Sequence, residues 1–176
     1  MDLRLIAVAI VSLALGFLLA SGLRPEVGVG PSEAERILER LRREIIPEEG
    51  SPTGYGIAFS EAGYQTLVAK NRTLSVPPER ADDFEGLDMS LPCCPFQSPS
   101  VDEAKNCPCE HHQALYGLAK WLLQEDYPAD RVQEEVARWS RYLFPKEALR
   151  AEMERRAKLD PAVEAALEEL KAKGKC

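Results

Sequence analysis

The sequence predicts a mostly α protein: an N-terminal membrane-anchor helix, then one small helical ectodomain with a long Cys-containing loop. Three observations carry that expectation. Residues 5–23 contain no charged side chain. Several later segments repeat apolar residues at three- and four-residue spacing, which is the signature of amphipathic helices. Between them, residues 74–107 are rich in Pro and show no period at all.

The uncharged run LIAVAIVSLALGFLLASGL covers 19 residues. As a helix rising 1.5 Å per residue it just spans a hydrocarbon core of about 30 Å. A cleaved signal peptide is the rival reading, because Ala20-Ser21-Gly22 offers small residues at a cleavage site. Leu23 stands where a lipoprotein would carry Cys, so lipidation there is excluded. Residues 1–23 are therefore read as anchor or signal segment and residues 24–31, PEVGVGP at their core, as a linker. Residues 32–176 are read as the Cys/His ectodomain. The expected location is the cell membrane, single-pass, with the ectodomain on the extracytoplasmic side, or secretion if the segment is cleaved.

Ser32 and Glu35 match a capping box, and Ala34, Ile37, Leu38, Leu41 and Ile45 follow at helical spacing. Tyr55–Phe59 reads as a short strand. Ser60 caps a second helix through Lys70 that buries Leu67 and Val68. From Glu110 to Gln124, the residues Ala114, Leu115, Leu118, Ala119, Leu122 and Leu123 form an apolar stripe. Val132, Val136, Trp139 and Leu143 form another. Pro145 and Asp160-Pro161 mark two further helix starts, with Pro in the first turn, and the last helix stops at Lys173-Gly174.

Composition removes several function classes. Lys and Arg total 22 against 29 Asp and Glu, a net charge of -7. No basic surplus exists to displace phosphate counterions, so nucleic acid is not an expected partner. Charged residues at 29% and hydrophobic ones at 45% fit neither a disordered chain nor a polytopic membrane protein. The chain has 13 Pro, two Asn and more Arg than Lys, a bias that fits a thermophile. No phosphate loop, G-x-S-x-G elbow or H-E-x-x-H is present, so binding is expected over catalysis.

The chemistry concentrates in twenty residues. Cys93, Cys94, Cys107 and Cys109 are followed at once by His111 and His112, the only two histidines in the chain. The pattern is CC-x12-C-x-C-x-H-H. Cys109 and His112 lie three apart, a spacing that lets both face one side of the helix and share an ion. His111 falls in register with Leu115, Leu118 and Leu122, which predicts a core histidine with one local hydrogen bond. Cys93 and Cys94 can close a ring with each other only under strain, so either they cross-pair to Cys107 or Cys109 or both face one soft ion. Three readings follow: two disulfides stapling the loop, a soft or borderline ion, or a reactive thiol exchanging with a client. The co-located histidines favour the ion, Cu(I) or Zn(II), at Cys93, Cys94, Cys107, Cys109 and His112, with His111 alongside.

From Cys93-Cys94 to Pro145 the chain resembles a group of uncharacterised, membrane-anchored extracytoplasmic prokaryotic proteins. They share a Cys-Cys pair, a downstream Cys and His opening a helix that reads A-x-x-G-L, and a Phe-Pro end to the next helix. The matching positions are Cys93, Cys94, Cys109, His112, Ala114, Gly117, Leu118, Phe144 and Pro145. A weaker similarity is to the small periplasmic thiol protein of cytochrome c maturation, which implies a thiol client. Cys107-Pro108-Cys109 departs from the C-x-x-C of that family. The expected function is thus membrane-tethered metal binding, with thiol–disulfide exchange or a stapled interaction domain as alternatives and a metalloprotein or thiol client as partner.

The anchor is tested in native membranes. Burying about 19 apolar residues should hold the chain in the membrane pellet through alkaline carbonate extraction. A mature N-terminus at Leu23, found by Edman sequencing, would instead establish cleavage.

Overall fold

The computed structural model describes residues 30–94, 99–100 and 108–175. The expected anchor, almost all of the 24–31 linker, Cys107 and Cys176 lie outside the described residues. Among the described residues the protein is mostly helical, and no helix is long and apolar enough to cross a membrane. The helices below all belong to one compact unit, Glu33–Cys176.

Among the described residues seven α-helices run in order: α1 (Glu33–Ile45), α2 (Glu61–Thr73), α3 (Ala81–Glu85), α4 (Glu110–Gln124), α5 (Ala129–Leu143), α6 (Pro145–Ala157) and α7 (Pro161–Ala172). Local chemistry sets their ends. Ser60 caps α2 by accepting from the Gly63 N–H at 3.0 Å, and Asp160 caps α7 by accepting from the Ala162 N–H at 2.9 Å. Pro145 and Pro161 sit in first turns, where the missing N–H costs nothing. At the end of α4, Asp126 adopts φ +58. The Tyr127 N–H then reaches back to the Leu122 carbonyl at 3.0 Å and closes the helix.

Two expectations about the loops fail. Residues 55–59 do not form a strand. Gly56, at φ +84, turns the chain, and the Thr53 hydroxyl bonds both the carbonyl (2.6 Å) and the N–H (3.3 Å) of Ile57. Nor is the stretch after Leu74 without structure. A 3₁₀ turn at Pro78–Arg80 leads into α3, held by Phe84, which is fully buried with its ring 6.0 Å from that of Tyr116. Five residues of helix are too few to display a 3.6-residue period in sequence.

Apolar side chains gather in two clusters. One joins Phe59, Leu67, Phe84, Met89, Leu115, Leu118, Leu122, Val136 and Trp139 around α4. The other joins Leu41 of α1 with Leu149, Met153, Val163, Leu167 and Leu170 of α6 and α7. Helix α4 is the axis of the first cluster, and α2 crosses it at very close range. A Cβ built on Gly117 would overlap the carbonyl oxygen of Leu67 and stand 2.8 Å from the Asn71 nitrogen. Lys120, one turn further along α4, is buried and donates to the Asn71 carbonyl at 3.1 Å and to its side-chain oxygen at 2.6 Å.

Gly117→Ala weighs two effects of opposite sign. Alanine gains about 1 kcal/mol of helix propensity, while backbone overlap in a packed crossing costs more than that. The variant should therefore lose about 2 kcal/mol or more of unfolding free energy in a urea titration. Wild-type stability would contradict the close crossing.

Candidate metal centre

Two elements bring the site together. The first is the start of α4, where Cys109 is the N-cap residue and His111 lies in the first turn. Side chains of a helix tilt toward its N-terminus, so a first-turn residue reaches past the helix end toward the preceding chain. The second element is a tight turn over residues 91–94. The Cys94 N–H donates to the Leu91 carbonyl at 3.1 Å, and Pro92 holds the second position, where its fixed φ suits the turn. Cys93 occupies the third position and is exposed at the tip.

The turn places the Cys93 sulfur 3.7 Å from the Cys109 sulfur and 3.8 Å from His111 Nδ1. Cys109 Sγ lies 4.0 Å from the same nitrogen. All three side chains are free to offer one donor atom each to a shared point. A point about 2.2 Å from all three atoms exists inside that triangle, and Zn–S and Zn–N bonds are about 2.3 and 2.0–2.1 Å. Tetrahedral zinc spaces two thiolates about 3.8 Å apart, close to the 3.7 Å found, whereas a disulfide needs about 2.05 Å.

Aromatic rings wall the site. His111 has the Phe144 ring 4.9 Å away and the Tyr64 ring at 6.0 Å. Burial first, and then the neighbouring acidic groups Glu110, Cys109, Glu61 and Cys93, hold the Tyr64 hydroxyl above its ordinary pKa. The Cys93 thiol is pushed up to about 11 by partial desolvation and by the adjacent Cys109 sulfur.

The two histidines have exchanged their expected places. His112, expected beside Cys109 as a ligand, is fully buried. Its Nε2–H donates to the Met89 carbonyl at 2.9 Å, its ring stacks on Tyr116 at 5.6 Å, and its Nδ1 has no partner among the described residues. Burial lowers its pKa, the Met89 bond opposing, so the ring is neutral at pH 7. His111, expected in the core, is the half-buried histidine at the sulfurs. The reason is that α4 is buried on two stripes. His112 aligns with Tyr116, Ala119 and Leu123, all buried, as well covered as the Leu115–Leu118–Leu122 stripe. Cys94 is half-buried and falls outside the three-residue group, because the turn sends adjacent side chains apart. Cys107 lies outside the described residues. Sequence reasoning passed over Gln133 and Met89; only the alternation of apolar residues at Leu87, Met89 and Leu91 hints that this stretch is pinned.

In comparisons with known proteins, no family model matches the chain, and neither a curated protein nor a solved structure does.

The elevated Cys93 thiol sets its reactivity. In metal-free protein its alkylation by iodoacetamide should keep climbing about tenfold per pH unit from 8 to 10, because only the thiolate reacts. An ordinary thiol, with a pKa of about 8.5, levels off over that range. Peptide mass spectrometry at Cys93 reads the profile, and an early plateau would contradict the assigned environment.

Proposed function

We propose that this chain is a membrane-tethered, extracytoplasmic metal-binding protein whose centre is built on Cys93, Cys109 and His111. The convergence of two sulfurs and one imidazole nitrogen at metal-ligand spacing supports the reading. The donor set is soft to borderline, which suits Zn(II) or Cu(I) and not Mg(II) or Ca(II). Two thiolates and a neutral imidazole leave a zinc centre uncharged and a Cu(I) centre at minus one. With Cys109 and His111 half-buried, an uncharged centre is the less costly one to desolvate, which favours zinc. Cys94 and Cys107 are the candidates for a fourth ligand, and residues 5–23 for the tether.

A second reading rests on the same sulfur pair. Cys93 is exposed and Cys109 lies 3.7 Å behind it, an arrangement that also suits a thiol exchanging with a client disulfide. In that reading the histidine is incidental.

Zinc titration of the reduced full-length chain in detergent, competed against a chromophoric chelator, separates the two. Metal binding predicts one equivalent, with Cys93→Ser, Cys109→Ser and His111→Ala each weakening affinity by about 100-fold or more, as loss of a ligand does. Co(II) should show thiolate charge-transfer bands that shift in the His111 variant. A parent chain that takes up no zinc, yet exchanges with glutathione through Cys93, would overturn the metal reading and leave the thiol one.

A further inference from the structure

Cys93 reaches the site on a segment with no helix or ladder of its own. Residues 87–91 alternate in burial, with Leu87, Met89 and Leu91 buried and Asp88 and Ser90 exposed. Such alternation is what a β-strand shows, yet the segment has no neighbouring strand among the described residues. Its main-chain groups find side-chain partners instead. Gln133 of α5 treats Asp88 as a strand neighbour would: its Oε1 accepts from the Asp88 N–H at 2.7 Å, and its Nε2 donates to the Asp88 carbonyl at 3.0 Å. His112 of α4 takes the next carbonyl, Met89, at 2.9 Å. The Asp88 carboxylate then accepts from the Ser90 N–H at 2.9 Å and the Ser90 hydroxyl at 2.6 Å. Those two bonds hold the carboxyl below its usual pKa.

We infer that Gln133 and His112 are positioning residues for the metal centre, clamping the backbone at Asp88 and Met89 so that Cys93 is presented to Cys109 and His111. The inference rests on the metal reading for its purpose, though the clamp itself is a matter of geometry. A thiol at an exposed turn must be ordered before it can share an ion, and ordering it in advance removes that cost from binding. Partners of this kind, which touch no metal but hold its ligands, typically change metal affinity by about 10–100-fold when lost. The His-His dipeptide thereby divides its work. His111 faces the ion and His112 holds the chain that supplies the opposing sulfur.

Two variants of the full-length chain test this. Gln133→Ala removes a half-buried side chain from the surface of α5. His112→Phe keeps an aromatic ring against Tyr116 and removes the bond to the Met89 carbonyl. Each should weaken zinc binding about 10–100-fold, with the metal-free melting temperature of Gln133→Ala close to that of the parent and the Co(II) bands of both still those of two thiolates and an imidazole. In a Cys93→Ser background the same substitutions should have no further effect on affinity. Zinc affinity within twofold of the parent in Gln133→Ala, or an undiminished loss in the Cys93→Ser background, would overturn the inference. If His112→Phe fails to fold, Gln133→Ala alone decides.

A metal-independent readout separates failure of the clamp from failure of the metal reading. In a glutathione buffer, Cys93 and Cys109 lose two hydrogens to form a disulfide while one glutathione disulfide is reduced to two glutathiones. The equilibrium constant reports how well Cys93 is placed. Both variants should lower it about tenfold, as expected of a lost preorganising contact, and an unchanged constant would overturn the clamp even if zinc binds.

Discussion

A helix pair with no side chain between its backbones fixes the geometry of this protein. At Gly117 the backbone of α4 lies against the Leu67 carbonyl of α2, a distance that only glycine permits. Close contact at that point aligns the flanking turns. One turn on, the buried Lys120 can reach the Asn71 carbonyl and side chain. Toward the other end, the first turn of α4 is brought against Tyr64, so that His111 stands 6.0 Å from its ring. The crossing thus determines where the N-terminus of α4 points, and everything the site needs from that helix follows from it.

The centre draws on two kinds of support that differ in rigidity. Cys109 and His111 come from a helix start whose position is set by a packed core, so their relative placement is inherited from the fold. Cys93 comes from a four-residue turn, which by itself would leave the sulfur poorly placed. Burial of Leu87, Met89 and Leu91 provides one set of anchors. Hydrogen bonds from Gln133 and His112 provide another, and they act on backbone groups that would otherwise have to find water. Apolar burial alone would fix the segment's depth but not its register along α4. The directional bonds fix register, and register decides whether the turn delivers Cys93 or Cys94 to Cys109 and His111.

The helices were legible because each carries a local signal that tertiary context does not override. Ser60, Pro145 and Asp160-Pro161 mark helix starts in sequence as they do in space, and the apolar stripe at residues 110–124 coincides with α4. Shorter features were not legible. Residues 81–85 form too brief a helix to display a period, and Thr53 and Gly56 replace the strand expected at residues 55–59 with a turned loop. Half of the site was legible too, as a cluster of Cys and His around one loop. Its membership was not, because a sequence with one visible stripe on α4 conceals the second stripe that runs through His112 and Tyr116. The material that covers that stripe is the non-periodic segment around Met89, which carries no helical signal of its own.

Adjacent residues on an α-helix point about 100° apart, so a His-His pair inside a helix cannot serve one ion with both rings. One ring must face elsewhere, and what it faces decides its role. A histidine turned to solvent would be idle. Here it is turned to the core, where a neutral imidazole has one donor and one acceptor to satisfy. The Met89 carbonyl satisfies the donor, while the acceptor, Nδ1, has no partner among the described residues. A leucine or phenylalanine would carry no such acceptor but would leave the buried Met89 carbonyl without its donor, and an unsatisfied buried polar atom costs about 1–3 kcal/mol. Packing therefore does not account for His112. The Met89 bond does, because it ties the loop that carries one sulfur to the helix that carries the other donors.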